Sequence, residues 1–140
     1  MGADPMQTLK AFLEAEAYNG PSLIIAYSHC IAHGCDTIKG CDEQKKAVNS
    51  GHWPLFRYNP DLCAKGLNPL KLDSKAPSIK LEEYIYNENR YKILKKADPE
   101  RAKELLDKAQ KLVTDNYELY RYLSERKIAG CEAQKKDDKA

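Results

Sequence analysis

Five cysteines are the residues of this 140-residue chain with the clearest capacity for chemistry. Their number is odd, and no continuous apolar run of the kind found in export signals precedes them, so we predict reduced thiols rather than a disulfide framework. Thiols at this density make a metal or cluster site worth testing, although a structural role is the commoner one for any single cysteine. The positions are Cys30, Cys35, Cys41, Cys63 and Cys131.

The spacing of these thiols does not describe a self-contained metal site. No C-x2-C pair occurs, and structural zinc sites usually contain one. Cys30 and Cys35 have the spacing of one half of the plant-type ferredoxin pattern, but Ile38 stands where the next ligand would be. A small iron–sulfur or zinc protein that uses Cys30, Cys35, Cys41 and His33 is therefore the weakest of the alternatives.

Cys30 differs from the other cysteines because it follows an apolar segment, residues 22–27. Consecutive apolar residues bounded by turn residues are typical of a central parallel strand that is buried on both faces. Open α/β sheets bind ligands and cofactors at the carboxyl ends of such strands. We therefore predict that Cys30 is one ligand of a site completed elsewhere. His29 and His33 flank it, so a Cys–His nucleophilic pair is an alternative, although loop histidines more often bond the backbone.

Other chemistry-bearing patterns are weak. The seven glycines are scattered singly, and no phosphate-binding or serine-nucleophile motif occurs. Arg57 stands among Trp53, Phe56 and Tyr58, an arrangement that can stack a base or a carboxylate-bearing ligand. A partly buried packing corner is the simpler interpretation of this cluster.

The elements that must position these residues follow from caps, prolines and apolar spacing. Asp4, Pro5 and Gln7 predict a helix start whose apolar face packs, and residues 19–21 end that helix. From Leu81 the chain changes to helical periodicity, with a second cap at Asp98. The remaining predictions are a helix over residues 42–50 with Gly51 as C-cap, short strands at 55–58 and 70–72, and helical stripes at 81–94 and 102–123 that Gly130 can end.

These elements predict an α/β fold: a partial parallel-sheet layer, an extended middle segment and a C-terminal helical hairpin. No second apolar run matches residues 22–27, so we expect the other strands of the sheet to lie outside these 140 residues. The hairpin most simply covers the sheet, and docking on a partner is the alternative.

Composition excludes two classes of partner. Lys and Arg number 23 against 21 Asp and Glu, a net charge of +2, so we predict no nucleic-acid binding. The longest apolar run, residues 23–27, is far shorter than the roughly 20 residues of a bilayer span, so we predict no membrane insertion.

Several separate motifs, in order, resemble the C-terminal end of the pyruvate:ferredoxin (flavodoxin) oxidoreductase family. The similarity extends to about Leu123, and the tail after Gly130 stays unassigned. The resembling stretches are residues 1–3, 7–12 (QTLKAF), 20–34 (GPSLIIAYSHCIAHG), 50–60 (SGHWPLFRYNP), 68–69, 72–77 (LDSKAP) and 89–91 (NRY).

The resemblance implies an enzyme that decarboxylates pyruvate oxidatively with coenzyme A, giving acetyl-CoA and carbon dioxide. Electrons would pass from thiamine diphosphate through 4Fe–4S clusters to ferredoxin or flavodoxin, in a cytoplasmic, oxygen-avoiding homodimer. Cys30 would be the fourth ligand of the cluster nearest the thiamine. Residues 1–78 would be the C-terminal part of the thiamine-diphosphate-binding domain, residues 79–130 a helical region, and residues 131–140 a disordered tail.

The sequence also departs from the complete family pattern. The other three ligands of that cluster are absent, as is the Gly-Asp-Gly…Asn signature for Mg²⁺ and diphosphate. Cys35, Cys41, Cys63 and Cys131 match no ligand position. We therefore expect the isolated chain to be inactive, to need the remainder of the oxidoreductase as partner, and to expose an apolar edge at residues 23–27. A standalone, non-catalytic binding or subunit module is the alternative.

Overall fold

A computed structural model describes residues 2–127 of the chain. The predicted tail, residues 131–140, lies outside the described residues, as do Cys131 and the helix stop at Gly130. Short 3₁₀ turns at Ile31–His33 and Thr37–Lys39 precede the second helix. The helices and strands are α1 (Pro5–Ala17), α2 (Gly40–Asn49), β1 (Phe56–Tyr58), α3 (Asp61–Ala64), β2 (Leu70–Leu72), α4 (Leu81–Ile85), α5 (Asn89–Ala97) and α6 (Pro99–Glu125).

Helix α1 begins as predicted, but its apolar face is not buried within the described residues. The Asp4 carboxylate accepts a hydrogen bond from the Gln7 amide at 2.9 Å, and Pro5 occupies the first turn. Phe12 and Leu13 are nevertheless 52% and 56% exposed. The prediction that this face packs is therefore not met within residues 2–127, where no residue of α1 is buried.

The apolar segment at residues 22–27 carries no regular secondary structure. A strand is defined by a hydrogen-bonded neighbour, and none pairs with this segment within residues 2–127. The mixed α/β class is confirmed, but the one sheet in the described part of the chain is antiparallel rather than parallel. It joins β1 and β2, with Phe56 opposite Leu72 and Tyr58 opposite Leu70.

The buried core lies where α2, α4 and α6 meet. Its buried members are Ala47, Leu81, Tyr84, Ile85 and Val113. Leu81 and Tyr84 are almost completely inaccessible, so α4 is the most deeply buried element of the described chain. These helices therefore share one core that does not involve α1.

The C-terminal helical hairpin is confirmed, with one interruption. The predicted stripe from Leu81 to Leu94 is divided into α4 and α5, which pack together against α6. At the start of α6 the Asp98 carboxylate accepts from the Arg101 amide at 2.9 Å, as the Asp-Pro pair predicts. None of the helices within residues 2–127 combines the length and the apolar character needed to cross a bilayer.

Candidate functional site

The Cys30 loop, residues 28–35, is held in shape by its own backbone. Cys30 is extended and caps the 3₁₀ turn Ile31–His33. Its carbonyl accepts hydrogen bonds from the His33 amide at 3.1 Å and from the Cys35 thiol at 3.4 Å. Gly34 then closes the turn in the left-handed conformation, with φ of 72°. The partly buried Cys30 thiol therefore stands on a tightly folded loop, and Cys35 supports it structurally.

Two contacts attach this loop to neighbouring helices. The Asn89 amide at the start of α5 donates to the Gly34 carbonyl at 3.3 Å. The Asn89 side chain lies so close that a Cβ on Gly34 would come within 2.5 Å of its Nδ2. On the other side, the His29 ring lies over Gly40, where a Cβ would come within 2.8 Å of the ring. His29 is thereby packed against the start of α2, which argues against a catalytic pair with Cys30.

A third attachment precedes the loop. The Tyr27 hydroxyl lies 2.8 Å from the Tyr84 hydroxyl, which in turn lies 3.4 Å from Oε1 of Glu88. Both Tyr84 and Glu88 are only 1% exposed. Glu88 is balanced by Arg90, whose Nε lies 2.5 Å from Oε2. A buried carboxylate needs such a partner, because an isolated charge is strongly destabilised away from water.

Aromatic rings pack around the hydrogen-bonded residues Tyr27 and Tyr84. Trp53 stacks on Tyr27 with ring centroids 5.0 Å apart, and His52 lies 4.9 Å from Tyr84. Burial lowers the pKa of His52; Glu88 opposes that shift and Arg90 adds to it. Burial also raises the pKa of Tyr84, and its hydrogen bond with Tyr27 contributes in the same direction. Both side chains are therefore held in their neutral forms at neutral pH.

The described residues do not assemble a metal site of their own. Within residues 2–127, no three His, Cys, Asp or Glu side chains are grouped so that they could hold a metal ion. The site predicted as weakest, from Cys30, Cys35, Cys41 and His33, therefore gains no support. A 4Fe–4S cluster takes thiolate ligands, and a partly buried cysteine on a hydrogen-bonded loop suits one of the four positions. The donor set thus fits a single ligand of a cluster completed by other residues.

Arg57 is occupied by carboxylates rather than open to a ligand. Its Nε and Nη2 donate to the two carboxylate oxygens of Asp73, both at 2.8 Å, and its Nη1 pairs with Glu14. Gln7 of α1 also donates to Asp73, at 3.2 Å. Burial tends to raise the pKa of Asp73, but the bonds from Arg57 and Gln7 outweigh it and the net pKa is lowered. Arg57 is therefore the packing corner that the simpler interpretation predicted.

Beside this corner lies an apolar cleft of about 670 Å³, between α1, residues 21–27 and β1. Its wall includes Leu23 and Ile25, which are 84% and 69% exposed. The predicted exposure is thus confirmed for residues 23–26, whereas Tyr27 is partly buried. Phe56 and Tyr120 also line this cleft and stack with ring centroids 5.0 Å apart.

No pattern in the sequence marks Tyr84, Glu88 or His52 as members of the site. Tyr84 and Tyr27 are 57 positions apart, and Glu88 stands in a polar stretch with no apolar signal to mark its burial. The sequence predicts Cys30 as a ligand, and the structure places Cys30 on the loop that follows Tyr27, the hydrogen-bonding neighbour of Tyr84. Only the repeated tyrosines in the helical region hinted at buried hydroxyls.

Several known proteins similar to this chain are pyruvate oxidoreductases by name. The chain is 57% identical over 128 residues to the pyruvate-flavodoxin oxidoreductase of Trichormus variabilis, and this alignment covers 91% of the chain but 11% of that protein. It is 54% identical over 90% of its length to the Nostoc sp. protein of that name, covering 10% of the relative. It is 47% identical over 89% of its length to the pyruvate:ferredoxin oxidoreductase of Moorella thermoacetica, covering 11% of the relative.

No protein-family model matches the chain. The agreement with named relatives nevertheless extends over nearly all of its residues, including the Cys30 loop and the segment before it. The chain spans only about a tenth of the length of those relatives. By sequence, the chain is therefore homologous to one segment of the pyruvate:ferredoxin (flavodoxin) oxidoreductases.

Proposed function

We propose that this chain supplies the Cys30 thiolate to a 4Fe–4S cluster of a pyruvate oxidoreductase. The reaction would be the coenzyme-A-dependent oxidative decarboxylation of pyruvate, with ferredoxin or flavodoxin as electron acceptor. The observation that carries the proposal is the 57% identity to a pyruvate-flavodoxin oxidoreductase. The partly buried thiol, on a loop attached to two helices, adds a physical reason why Cys30 can serve as a ligand.

The chain depends on other parts of the enzyme for the remaining chemistry. The other three thiolates of the cluster, together with the site for thiamine diphosphate and Mg²⁺, would come from the remainder of the oxidoreductase. Residues 1–78 would complete the thiamine-diphosphate-binding domain, and the assembled enzyme would be a cytoplasmic homodimer. When bound, the cluster supplies one-electron transfer, and this chain contributes a ligand and the packing that orients it.

The exposed apolar surface is consistent with such a partner. Leu23, Ile25 and Phe12 of α1 border one cleft, and both Phe12 and its neighbour Leu13 are more than half exposed. An apolar patch of this kind marks a surface that another chain or domain covers. Residues 22–27 carry no regular secondary structure and pair with no strand within residues 2–127, so a neighbouring strand could satisfy their backbone groups.

A segment exchange tests the proposal. Residues 1–127 replace the homologous segment in the Trichormus variabilis enzyme, and pyruvate- and coenzyme-A-dependent flavodoxin reduction is measured anaerobically. We expect the exchanged enzyme to be active, the isolated 140-residue chain to be inactive, and Cys30→Ala in the exchanged enzyme to abolish activity. Cys41→Ser is the matched control, because that thiol is exposed.

Two outcomes would count against the proposal. Unchanged activity after Cys30→Ala would remove the assigned role of the thiol. An inactive but folded exchanged enzyme, together with a cooperative thermal melt of the isolated chain, would favour the standalone, non-catalytic module instead.

A further inference from the structure

We propose that the junction between α4 and α5 is a clamp that positions the Cys30 thiol. The clamp consists of Tyr84, Glu88 and Asn89. It contacts the chain at Tyr27, before the cysteine, and at Gly34, after it. The inference about the cluster rests on the proposed function, but the restraint on the loop does not.

The first contact of the clamp is a buried series of hydrogen bonds. Tyr27 reaches Tyr84 at 2.8 Å, and Tyr84 reaches Glu88 at 3.4 Å. Tyr84 and Glu88 are almost completely inaccessible, so water cannot readily replace a lost partner. Buried polar groups in this situation hold a single arrangement, because each broken bond leaves an unsatisfied group. Tyr27 is therefore fixed to the α4–α5 junction three positions before the cysteine.

The second contact of the clamp, between Asn89 and Gly34, combines a hydrogen bond with close packing. The Asn89 amide donates to the Gly34 carbonyl at 3.3 Å, and the Asn89 side chain fills the space where a Cβ on Gly34 would lie. Gly34 also needs its positive φ of 72°. Glu88 and Asn89 are adjacent in sequence, so both ends of the loop are tied to one short stretch of backbone. A loop closed in this way has few conformations in which the thiol can point elsewhere.

For a bound cluster, the clamp would affect the reduction potential as well as the position of the Cys30 thiolate. The reduction potential of a cluster depends on groups that contact and orient a ligand without touching the metal. It also depends on the solvent exposure around the ligand sulfur. Tyr84, Glu88 and Asn89 would be positioning residues, since none of them need touch the cluster. Variants that loosen the clamp should therefore shift the reduction potential of the cluster while the cluster stays bound.

The restraint is tested first on the 140-residue chain, without any cluster. The alkylation rate of Cys30 by iodoacetamide is compared with that of Cys41 by peptide mass spectrometry. Tyr84→Phe removes the hydroxyl that contacts both Tyr27 and Glu88, and the loss of the bond to Tyr27 should raise Cys30 labelling about fivefold through more frequent loop opening. Tyr27→Phe breaks the same bond from the partly buried side, and it replaces Tyr84→Phe if that variant does not fold. Tyr58→Phe, at a 59% exposed ring, is the control.

The outcomes of the labelling experiment are decisive in either direction. Faster labelling of Cys30 with an unchanged rate at Cys41 supports the clamp. Equal Cys30 rates in all variants, or a parallel rise at Cys30 and Cys41, would overturn it, because the second result describes general loosening.

The effect on the cluster is tested in the exchanged enzyme. Tyr84→Phe and Tyr27→Phe should keep the full iron content, yet shift the reduction potential and the electron paramagnetic resonance spectrum of one cluster. An unshifted potential would overturn the tuning role. Failure of the proposed function has a different signature: Cys30→Ala would then retain all iron, whatever the labelling rates show.

Discussion

The hydroxyl of Tyr27 lies 2.8 Å from the hydroxyl of Tyr84, although 57 positions separate them in the sequence. This contact joins the apolar segment that leads to Cys30 with the most deeply buried tyrosine of the helical region. The C-terminal helices are therefore more than a cover for the N-terminal part. They hold the loop that carries the proposed cluster ligand.

The two tyrosines should be energetically coupled. We expect Tyr84→Phe to lower the free energy of unfolding by about 1–2 kcal/mol, because Glu88 loses a buried hydrogen-bonding neighbour. Tyr27→Phe should cost about 1 kcal/mol, and the double variant should cost less than the sum by about 0.5–1.5 kcal/mol. Urea unfolding of the 140-residue chain gives all three values. Strictly additive losses would show that the hydroxyls do not interact.

The pair of Arg57 and Asp73 should stabilise the corner between α1 and the sheet. Asp73→Asn replaces a partly buried, doubly bonded carboxylate, and we expect a loss of about 1.5–3 kcal/mol in urea unfolding. Arg57→Lys should be nearly as damaging, because an ammonium cannot reproduce the two parallel bonds. Glu118→Gln, in the exposed pair with Arg121, is the control and should change stability by less than about 0.5 kcal/mol. Similar losses at both pairs would contradict this role.

Stability should depend on pH through His52. Burial holds its pKa below the ordinary value of 6.5. The unfolded chain takes up this proton near pH 6.5 and the folded chain only at lower pH, so the contribution of His52 to stability is fully present above 6.5. It is lost as the pH falls from 6.5 toward the folded pKa. His52→Phe keeps an aromatic ring between Tyr27 and Tyr84 and should flatten the pH dependence of unfolding. An equally steep dependence in the variant would exclude His52 as its cause.

Two glycines with the same backbone conformation should respond differently to substitution. Gly34 and Gly66 both have positive φ, but a Cβ meets Asn89 at Gly34 and nothing within 4 Å at Gly66. Gly66→Ala should cost about 1–2 kcal/mol, the left-handed backbone penalty alone. Gly34→Ala should cost at least about 1 kcal/mol more, because Asn89 must move. Thermal or urea unfolding gives both losses, and equal values would show that Asn89 does not restrain the loop.

Sequence predicted the features that depend on neighbouring residues. The Asp4 cap with Pro5, the Asp98 cap with Pro99 and the two short strands all appear close to the predicted positions. Each is decided within a few residues by capping, fixed proline φ or turn chemistry. The helical stripe after Leu81 was also correct, apart from its interruption before α5.

Long-range relationships could not be predicted in the same way. The apolar character of residues 22–27 indicates that something covers them, but it does not identify the partner, and none of the described residues pairs with them as a strand. The burial of Glu88 is equally hidden, because a charged residue between two helical segments usually faces solvent. Cys30 is predicted as a ligand because its sequence position relative to the apolar run carries information about sheet geometry, and this role stays a prediction.

The most direct test of Cys30 as a cluster ligand is the iron content of the exchanged enzyme with Cys30→Ala, measured anaerobically beside the Cys41→Ser control. We expect Cys30→Ala to lose one cluster, about four iron atoms per chain, together with its electron paramagnetic resonance signal. The control should retain every cluster. Full iron content and an unchanged spectrum in Cys30→Ala would contradict the assignment of Cys30 as a cluster ligand.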